Sequence, residues 1–156
     1  MNITCLAIGK TKERAYEAFQ AHYIEKLRHY CNIEYLEIPS LKNASKLAKK
    51  QLQEAEGKII LEKVSPKSQL ILLDEKGKEY SSKEFASRLE KKQLNATTDL
   101  IFIIGGAYGF SPAVYQAAHE KMALSKMTFT HQMVRVIFLE QLYRAFSIIK
   151  GEKYHH

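Results

Sequence analysis

The stretch DLIFIIGGAYGFSPAVYQ, residues 99–116, brings together three local signals. It begins with a continuous apolar run, passes through Gly105 and Gly106, and reaches Ser111-Pro112, a pair typical of the first positions of a helix. A continuous apolar run followed by a helix is typical of a strand buried inside a parallel sheet. We therefore predict a buried strand, a glycine turn at its carboxyl end and a helix.

The glycine turn is a candidate binding site, because open parallel sheets bind ligands at the carboxyl ends of their strands. It lacks the Gly-Lys-Ser/Thr of a P-loop, and Ile104 stands where the dinucleotide fingerprint needs a glycine. A tight turn shaped by packing alone is the alternative interpretation.

The same alternation of apolar runs and helical patterns continues along the chain. We predict strands at 3–9, 33–39, 69–75, 99–106 and 126–130, with helices at 10–30, 43–64, 81–93, from 111 onward, and 131–151. Ser81 and Glu84 form a capping box, Gly57 is a point where the second helix could break, and residues 76–82 are predicted as a loop. The fold class is α/β, a parallel sheet covered by helices on both faces, in one domain spanning 1–156.

Composition narrows the classes of function. The 156 residues carry a net charge of +7, which favours a polyanionic partner, either nucleic acid or a membrane surface. No apolar run approaches 18 residues and no basic leader precedes the first strand, so we expect neither a membrane span nor a signal peptide. Cys5 and Cys31 form no ligand pattern and are predicted to be reduced core residues of a cytosolic protein without a metal site.

The last helix is apolar on nearly every side between Val134 and Ile149. A surface helix shows one apolar stripe, so this helix should be buried all round. In a chain of this size a second subunit is the favoured cover. The alternative is that the helix lies at the centre of a monomer and is covered by other parts of the same chain.

Polar residues supply further candidates. Ser125, Lys126, Thr128 and Thr130 flank the predicted fifth strand and offer hydroxyls to a polar ligand, although an ordinary connector would look the same. His131 is more typical of a cap or a core position than of catalysis. A final candidate is the terminal segment with Tyr154, His155 and His156, for which a frayed end is the default interpretation.

The basic side chains divide into two groups. Lys42, Lys46, Lys49 and Lys50 are most simply a solvated face. The arginines of the last helix each need an anion: Arg144 has Glu140 one turn away, whereas Arg135 has no local partner and is a candidate for a substrate phosphate.

Three ordered segments resemble one known family. ITCLAIGK near the amino terminus, FIIGGAYGFSP, and LSKMTFTHQMVRVIFLEQLYRAFSIIKGEKYH together are similar to the RlmH family of SPOUT-class methyltransferases, formerly called YbeA-type proteins. The resemblance spans the chain and is densest over residues 99–155. Its ordered run of motifs is far more specific than a single glycine pattern.

The resemblance implies a parallel-sheet SPOUT fold with a deep trefoil knot in the carboxyl-terminal third, at about 99–156, and a homodimer. It also implies S-adenosylmethionine held by three loops. The implied cofactor-binding residues are Leu73, Gly105, Gly106, Leu124, Ser125, Lys126, Met127, Thr128 and Phe129.

The implied substrate is a pseudouridine of 23S rRNA, methylated at N3 in the assembled ribosome. In this hypothesis His155 removes the N3 proton, Tyr154 stacks on or positions the base, and Arg135 and Arg144 hold phosphates or the cofactor carboxylate. The family usually has proline where Thr130 stands, and Arg or Lys where His156 stands. A SPOUT methyltransferase with another RNA target, or a non-catalytic nucleotide- or RNA-binding module, are the alternatives.

Overall fold

A computed structural model describes residues 1–95 and 99–154. Strands and helices alternate along them. In chain order they are β1 (Asn2–Ile8), α1 (Arg14–Leu27), β2 (Asn32–Ile38), a short 3-10 helix (Ala44–Lys46), α2 (Lys49–Lys63), β3 (Gln69–Glu79), α3 (Ser82–Leu94), β4 (Asp99–Ile104), α4 (Pro112–Ala117), β5 (Glu120–Ala123) and α5 (Met133–Ile149).

The five strands form one parallel sheet in the order β2-β1-β4-β3-β5. Successive side chains of a strand point to opposite faces, and β1 uses both. Its Cys5 and Ala7 join the core shared with α1, α3 and α5, whereas Leu6 and Ile8 join the core shared with α2 and α4. The predicted α/β architecture with helices on both faces is confirmed.

Two predicted helix starts are confirmed in detail. Ser81 and Glu84 form the capping box, in which the Ser81 amide donates to the Glu84 carboxylate at 2.7 Å. Ser111 Oγ accepts from the Val114 amide at 3.4 Å, and Pro112 is the first residue of α4. Because Ser111 is buried, this cap also fixes the exit of the chain from the glycine turn.

The prediction of a fifth strand at 126–130 is wrong. The fifth strand is Glu120–Ala123, and residues 126–130 form a loop. Thr-Phe-Thr favours a strand by composition, but in this loop hydroxyls bond the local backbone instead. Ser125 Oγ accepts from the Met127 amide at 2.9 Å, and Thr130 Oγ1 accepts from the Met133 amide at 3.3 Å. The fifth strand pairs with β3.

Two glycines explain further differences from the sequence-based prediction. Residues 76–79 were predicted as a loop, but they continue β3 and pair with β5. A Cβ on Gly77 would lie 2.5 Å from the Met122 amide nitrogen, so glycine permits this close approach of the two strands. Gly57 does not break its helix, although the predicted segment 43–64 does divide into the 3-10 helix and α2. A Cβ on Gly57 would lie 2.2 Å from Ser111 Oγ, so glycine here permits the close approach of α2 and α4.

Within one chain α5 is not buried all round. Phe138, Leu142 and Ala145 are fully buried, while Val136 and Ile137 on another side are only half-buried. On α1, Phe19 is 56% exposed.

Both cysteines are free and buried, as predicted. Burial raises the pKa of each thiol, that of Cys31 to about 11, so neither is activated as a thiolate. Among the described residues, no helix combines the length and apolarity needed to cross a bilayer.

Candidate active site

A cleft of about 830 Å³ opens at the carboxyl ends of β3, β4 and β5. Three backbone segments enclose it: the end of β3, the glycine turn after β4, and the loop that joins β5 to α5. Eight of the nine residues implied as cofactor-binding line this cleft, namely Leu73, Gly105, Gly106, Leu124, Ser125, Met127, Thr128 and Phe129. The parallel register of the sheet brings these three segments together although they are distant in sequence.

Lys126 is the ninth and lies outside the lining. Its side chain is 89% exposed, and its ammonium lies 4.0 Å from a Glu79 carboxylate oxygen. An exposed pair of this kind contributes little to stability. A cofactor contact in this segment would therefore come from the neighbours of Lys126.

Glycine is required in this turn both because side chains pack closely against it and because the backbone adopts a left-handed conformation at Gly109. A Cβ on Gly105 would lie 3.0 Å from the Phe110 ring, so part of the glycine requirement is structural. Gly109 has φ of +73°, in the left-handed region that favours glycine, and its amide donates to the Gly106 carbonyl at 3.2 Å. At Gly106 the nearest atoms are the carboxylate of Glu56, 2.8 Å from a Cβ built there. Burial raises the pKa of that carboxyl group.

The cleft wall also holds a hydrogen-bonded pair, Tyr115 and Asp74, that the sequence patterns did not predict. The Tyr115 hydroxyl donates to one oxygen of Asp74, and the Lys76 amide donates to the other at 2.8 Å. Burial and the bond to Asp74 raise the pKa of Tyr115 to about 12. Asp74 directly follows Leu73 at the end of a buried run, which was the available signal. No sequence pattern indicated Tyr115, because it reaches the cleft only through the position of α4 in the fold.

Arg135 does not lie in the cleft. It is fully buried, and its guanidinium donates to Glu37 at 3.0 Å, to the Ile8 carbonyl at 2.8 Å and to Thr11 Oγ1 at 3.0 Å. The prediction that it holds a substrate phosphate does not fit this position, because the anion it needs is already Glu37. Its buried Nε has no hydrogen-bond partner among residues 1–95 and 99–154.

The Arg135 cluster (Thr11, Gln20, Glu37 and Arg135) fixes the start of α5 against the carboxyl ends of β1 and β2. Gln20 donates to Thr11 Oγ1 at 3.0 Å. Next to this cluster, Gln132 Oε1 accepts from the Lys12 amide at 2.7 Å. Since Gln132 and Val134 line the cleft, the cluster supports one of its walls from behind.

Arg144 and Tyr154 meet each other, away from the cleft. Arg144 bonds Glu140 at 2.5 Å, as the spacing predicted, and its guanidinium carbon lies 4.7 Å from the Tyr154 ring centroid. Tyr154 donates to Glu140 at 3.1 Å, and burial raises its pKa. We call these three residues the Arg144 cluster. From Val134, which lines the cleft, to Arg144 the helix advances about 15 Å, and His155 and His156 lie outside the described residues.

The fold and the cleft define a class: a parallel α/β protein whose ligand site is built from loops at the carboxyl edge of its sheet. Residues 1–155 match the family described as "Predicted SPOUT methyltransferase", and the chain belongs to this family.

Full-length relatives agree with the family assignment. The chain is 53% identical over 156 residues, covering 100% of both chains, to the "Ribosomal RNA large subunit methyltransferase H" of Cytophaga hutchinsonii. It is 48% identical to the protein of the same name from Bacteroides fragilis, with 100% of this chain and 99% of the relative covered.

Among solved structures, the chain resembles the A. aeolicus TrmH/SpoU tRNA modifying enzyme. The TM-score is 0.51 at 12% identity, with 96% of this chain and 77% of the other covered. At that identity the likeness supports the fold alone.

Proposed function

We propose that this protein is an S-adenosylmethionine-dependent methyltransferase of large-subunit ribosomal RNA that modifies N3 of a pseudouridine in the assembled ribosome. The observation that carries the proposal is the cleft formed by the end of β3, the glycine turn and the loop 124–130, in a chain of the SPOUT methyltransferase family. The names of the full-length relatives supply the RNA class. A ribosomal substrate implies a cytoplasmic location.

The residues present fit this cofactor. Gly105 and Gly106 have no side chain to keep a ligand away from the backbone of the turn, while Leu73 and Leu124 offer apolar surface for an adenine ring. When bound, S-adenosylmethionine supplies an electrophilic methyl group. Alignment is then the main task of the protein, and correct placement contributes several kcal/mol, roughly 7–11 at the limit.

The remaining chemical task is to remove the proton from N3. His155 is our candidate base, because an imidazole titrates near neutrality and a positioned base contributes about 100-fold or more. Tyr154 would stack on or position the nucleobase of the target pseudouridine. Arg144, whose side chain is 26% exposed, would hold a phosphate.

A homodimer is part of the proposal. Within one chain the Arg144 cluster lies away from the cleft, while α5 presents the half-buried Val136 and Ile137. Pairing two chains through this helix would cover those side chains and allow the carboxyl-terminal residues of one subunit to serve the cleft of the other. We also propose the trefoil knot at about 99–156 within a single domain spanning 1–156.

Calorimetric titration with S-adenosylmethionine tests the cleft. We expect saturable binding that Gly106→Trp abolishes, because an indole at 106 either displaces Glu56 or fills the cleft. Leu94→Trp is the matched control, since Leu94 is 79% exposed and does not line the cleft. Equal binding by the two variants would place the cofactor elsewhere.

Transfer of the methyl group to ribosomes tests the reaction. We expect 3-methylpseudouridine in the nucleosides released from large-subunit RNA, detected by mass spectrometry after incubation with purified ribosomes. A different methylated nucleoside would assign the enzyme another target. In single-turnover reactions, an unchanged rate for His155→Ala would instead indicate proton loss through water or the substrate itself.

A further inference from the structure

A row of exposed lysines lies where the chain passes from β2 to α2. Lys42 and Lys46 belong to the connecting segment, and Lys49 begins α2. In the described part of the chain none of these three has a carboxylate within 4.0 Å, whereas the neighbouring Lys50 has Glu54 at that distance. The row therefore carries positive charge that no carboxylate of the described residues neutralises within 4.0 Å.

The row is joined to the mouth of the cleft through Tyr108. Tyr108 sits in the glycine turn with 51% of its surface exposed, and the Lys49 ammonium lies 5.8 Å from its ring centroid. Gln53, one turn after Lys49, donates to the Tyr108 carbonyl at 2.6 Å. Both Lys49 and Tyr108 line the cleft, so the charged row and the cleft share one rim.

We propose that Lys42, Lys46, Lys49 and Tyr108, here called the lysine–tyrosine surface, hold the RNA strand that flanks the target nucleotide. The lysines pair with backbone phosphates, and the tyrosine ring stacks on an unpaired base next to the one that enters the cleft. This assignment rests on the proposed function.

The chemistry of the surface favours RNA over an acidic protein. Unpaired lysines complement the negative charge of the phosphates along a strand, and an exposed aromatic ring beside Lys49 provides a stacking platform that every base can use. A solvated face with no partner would account for the lysines, but not for the exposed Tyr108 ring beside Lys49 in a turn whose backbone is fixed by Gln53. The position on the rim also matches the need to lift one base out of its surroundings into the cleft.

The first test changes charge without touching the cleft. Lys42→Gln/Lys46→Gln is compared with Lys67→Gln/Lys91→Gln, an equal change at exposed lysines near the opposite edge of the sheet. Binding to purified ribosomes and to protein-free large-subunit RNA is measured between 50 and 200 mM salt. We expect at least about fivefold weaker binding and a logarithmic salt slope shallower by about 1.4, or about 0.7 per lost phosphate contact. The control pair should match the wild type.

The second test addresses stacking. At saturating cofactor we expect Tyr108→Ala to raise KM for ribosomes by about 5- to 150-fold, the range for loss of one stacked base. Tyr108→Phe should restore it, because the ring and not the hydroxyl is required. A Tyr108→Phe variant as impaired as Tyr108→Ala would contradict stacking.

The outcomes separate this inference from the function on which it rests. A wild-type protein that binds cofactor but neither binds nor methylates ribosomes would overturn the proposed function. A wild type that methylates ribosomes, with Lys42→Gln/Lys46→Gln indistinguishable from its control, would overturn the lysine–tyrosine surface alone. Weakened binding to ribosomes with unchanged binding to protein-free RNA would assign the lysines to a ribosomal protein and would also overturn it.

Discussion

The two ends of α5 hold two arginines in opposite environments. Arg135 is fully buried and bonds a carboxylate, a hydroxyl and a carbonyl from distant parts of the chain. Arg144 has a side chain that is 26% exposed and bonds Glu140 one turn before it. The first arginine holds the start of the helix in place. The second keeps part of its surface open beside Tyr154.

This difference shows that residue type alone does not assign a role to either arginine. Both arginines lie in an apolar helix and both are paired with glutamate. Burial removes Arg135 from any contact with a substrate, and partial exposure leaves Arg144 able to make one. Mutations in the two clusters should therefore change different quantities. Changes in the Arg135 cluster should lower the free energy of unfolding, and changes in the Arg144 cluster should lower the rate of methyl transfer.

The largest expected effect is on the buried end. Arg135→Met should lower the free energy of unfolding by about 3 kcal/mol, near the low end of the 3–5 kcal/mol for breaking a buried pair. The low end applies because the Glu37 side chain keeps 23% of its surface exposed. Urea unfolding monitored by circular dichroism measures the change.

The matched control for this change is the double variant Arg135→Met/Glu37→Leu. Removing both partners leaves no uncompensated carboxylate, so we expect it to recover part of the loss. A single Arg135→Met variant within 1 kcal/mol of the wild type would show that the Arg135 cluster does not hold α5, and the comparison between the two ends would fail.

Sequence patterns predicted those parts of the fold that depend on local chemistry. The apolar run of β4, the Ser81–Glu84 capping box and the Ser111-Pro112 helix start are all as predicted. The fifth strand was misplaced because residues 126–130 have strand composition, whereas Glu120–Ala123 is the segment that pairs with β3. Which segment pairs with β3 is decided across the sheet and not within the segment.

Prediction of the site divides in the same way. Local pattern marked the glycine turn and the polar segment 125–130 as candidates, and the family resemblance added Leu73 and the cofactor. Eight of the nine implied residues line the cleft. The Arg144–Glu140 pair was visible because its members are one helical turn apart. The Arg135–Glu37 pair joins residues 98 positions apart, and the Tyr115–Asp74 pair joins residues 41 apart. No local spacing marks such contacts.

A smaller loss is expected when the hydroxyl at the centre of the Arg135 cluster is removed. Thr11→Val would leave Gln20, Glu37 and Arg135 each without one hydrogen-bond partner in a buried place. We expect a loss of about 1–3 kcal/mol in the same unfolding measurement. Thr11→Ser retains the hydroxyl and should recover most of it. A loss of equal size in both variants would attribute the effect to packing of the methyl group instead.

Stability at the other end should change little when its arginine is lost. Arg144→Gln removes an i,i+4 pair, so we expect less than about 1 kcal/mol. The proposed phosphate contact predicts that methyl transfer to ribosomes nevertheless falls about tenfold or more, as for a charged hydrogen bond worth about 1.5–3 kcal/mol. Arg28→Gln, a change at a surface arginine outside α5, is the control. Equal rates in the two variants would leave Arg144 with a structural role only.

The effect expected to be smallest at neutral pH, and to change with pH, lies in the neighbourhood of the Arg144 cluster. The Tyr30 hydroxyl donates to Glu152 at 2.6 Å, and burial, reinforced by this bond, raises the pKa of Tyr30 to about 12. The folded protein therefore keeps a proton between pH values of about 10 and 12 that an unfolded chain, with an ordinary tyrosine pKa near 10, has lost. The stabilisation is present below pH of about 10 and declines as pH rises through that window.

Tyr30→Phe should flatten this decline while costing about 0.5 kcal/mol at neutral pH, where the exposed bond to Glu152 is partly replaced by water. Unfolding free energies at several pH values from 8 to 11.5, in the variant and the wild type, give the two slopes. Lysines that titrate in the same range are common to both proteins and cancel in the difference. Identical slopes would mean that the proton of Tyr30 is not coupled to folding and that its bond to Glu152 does not hold the carboxyl-terminal end of the protein in place.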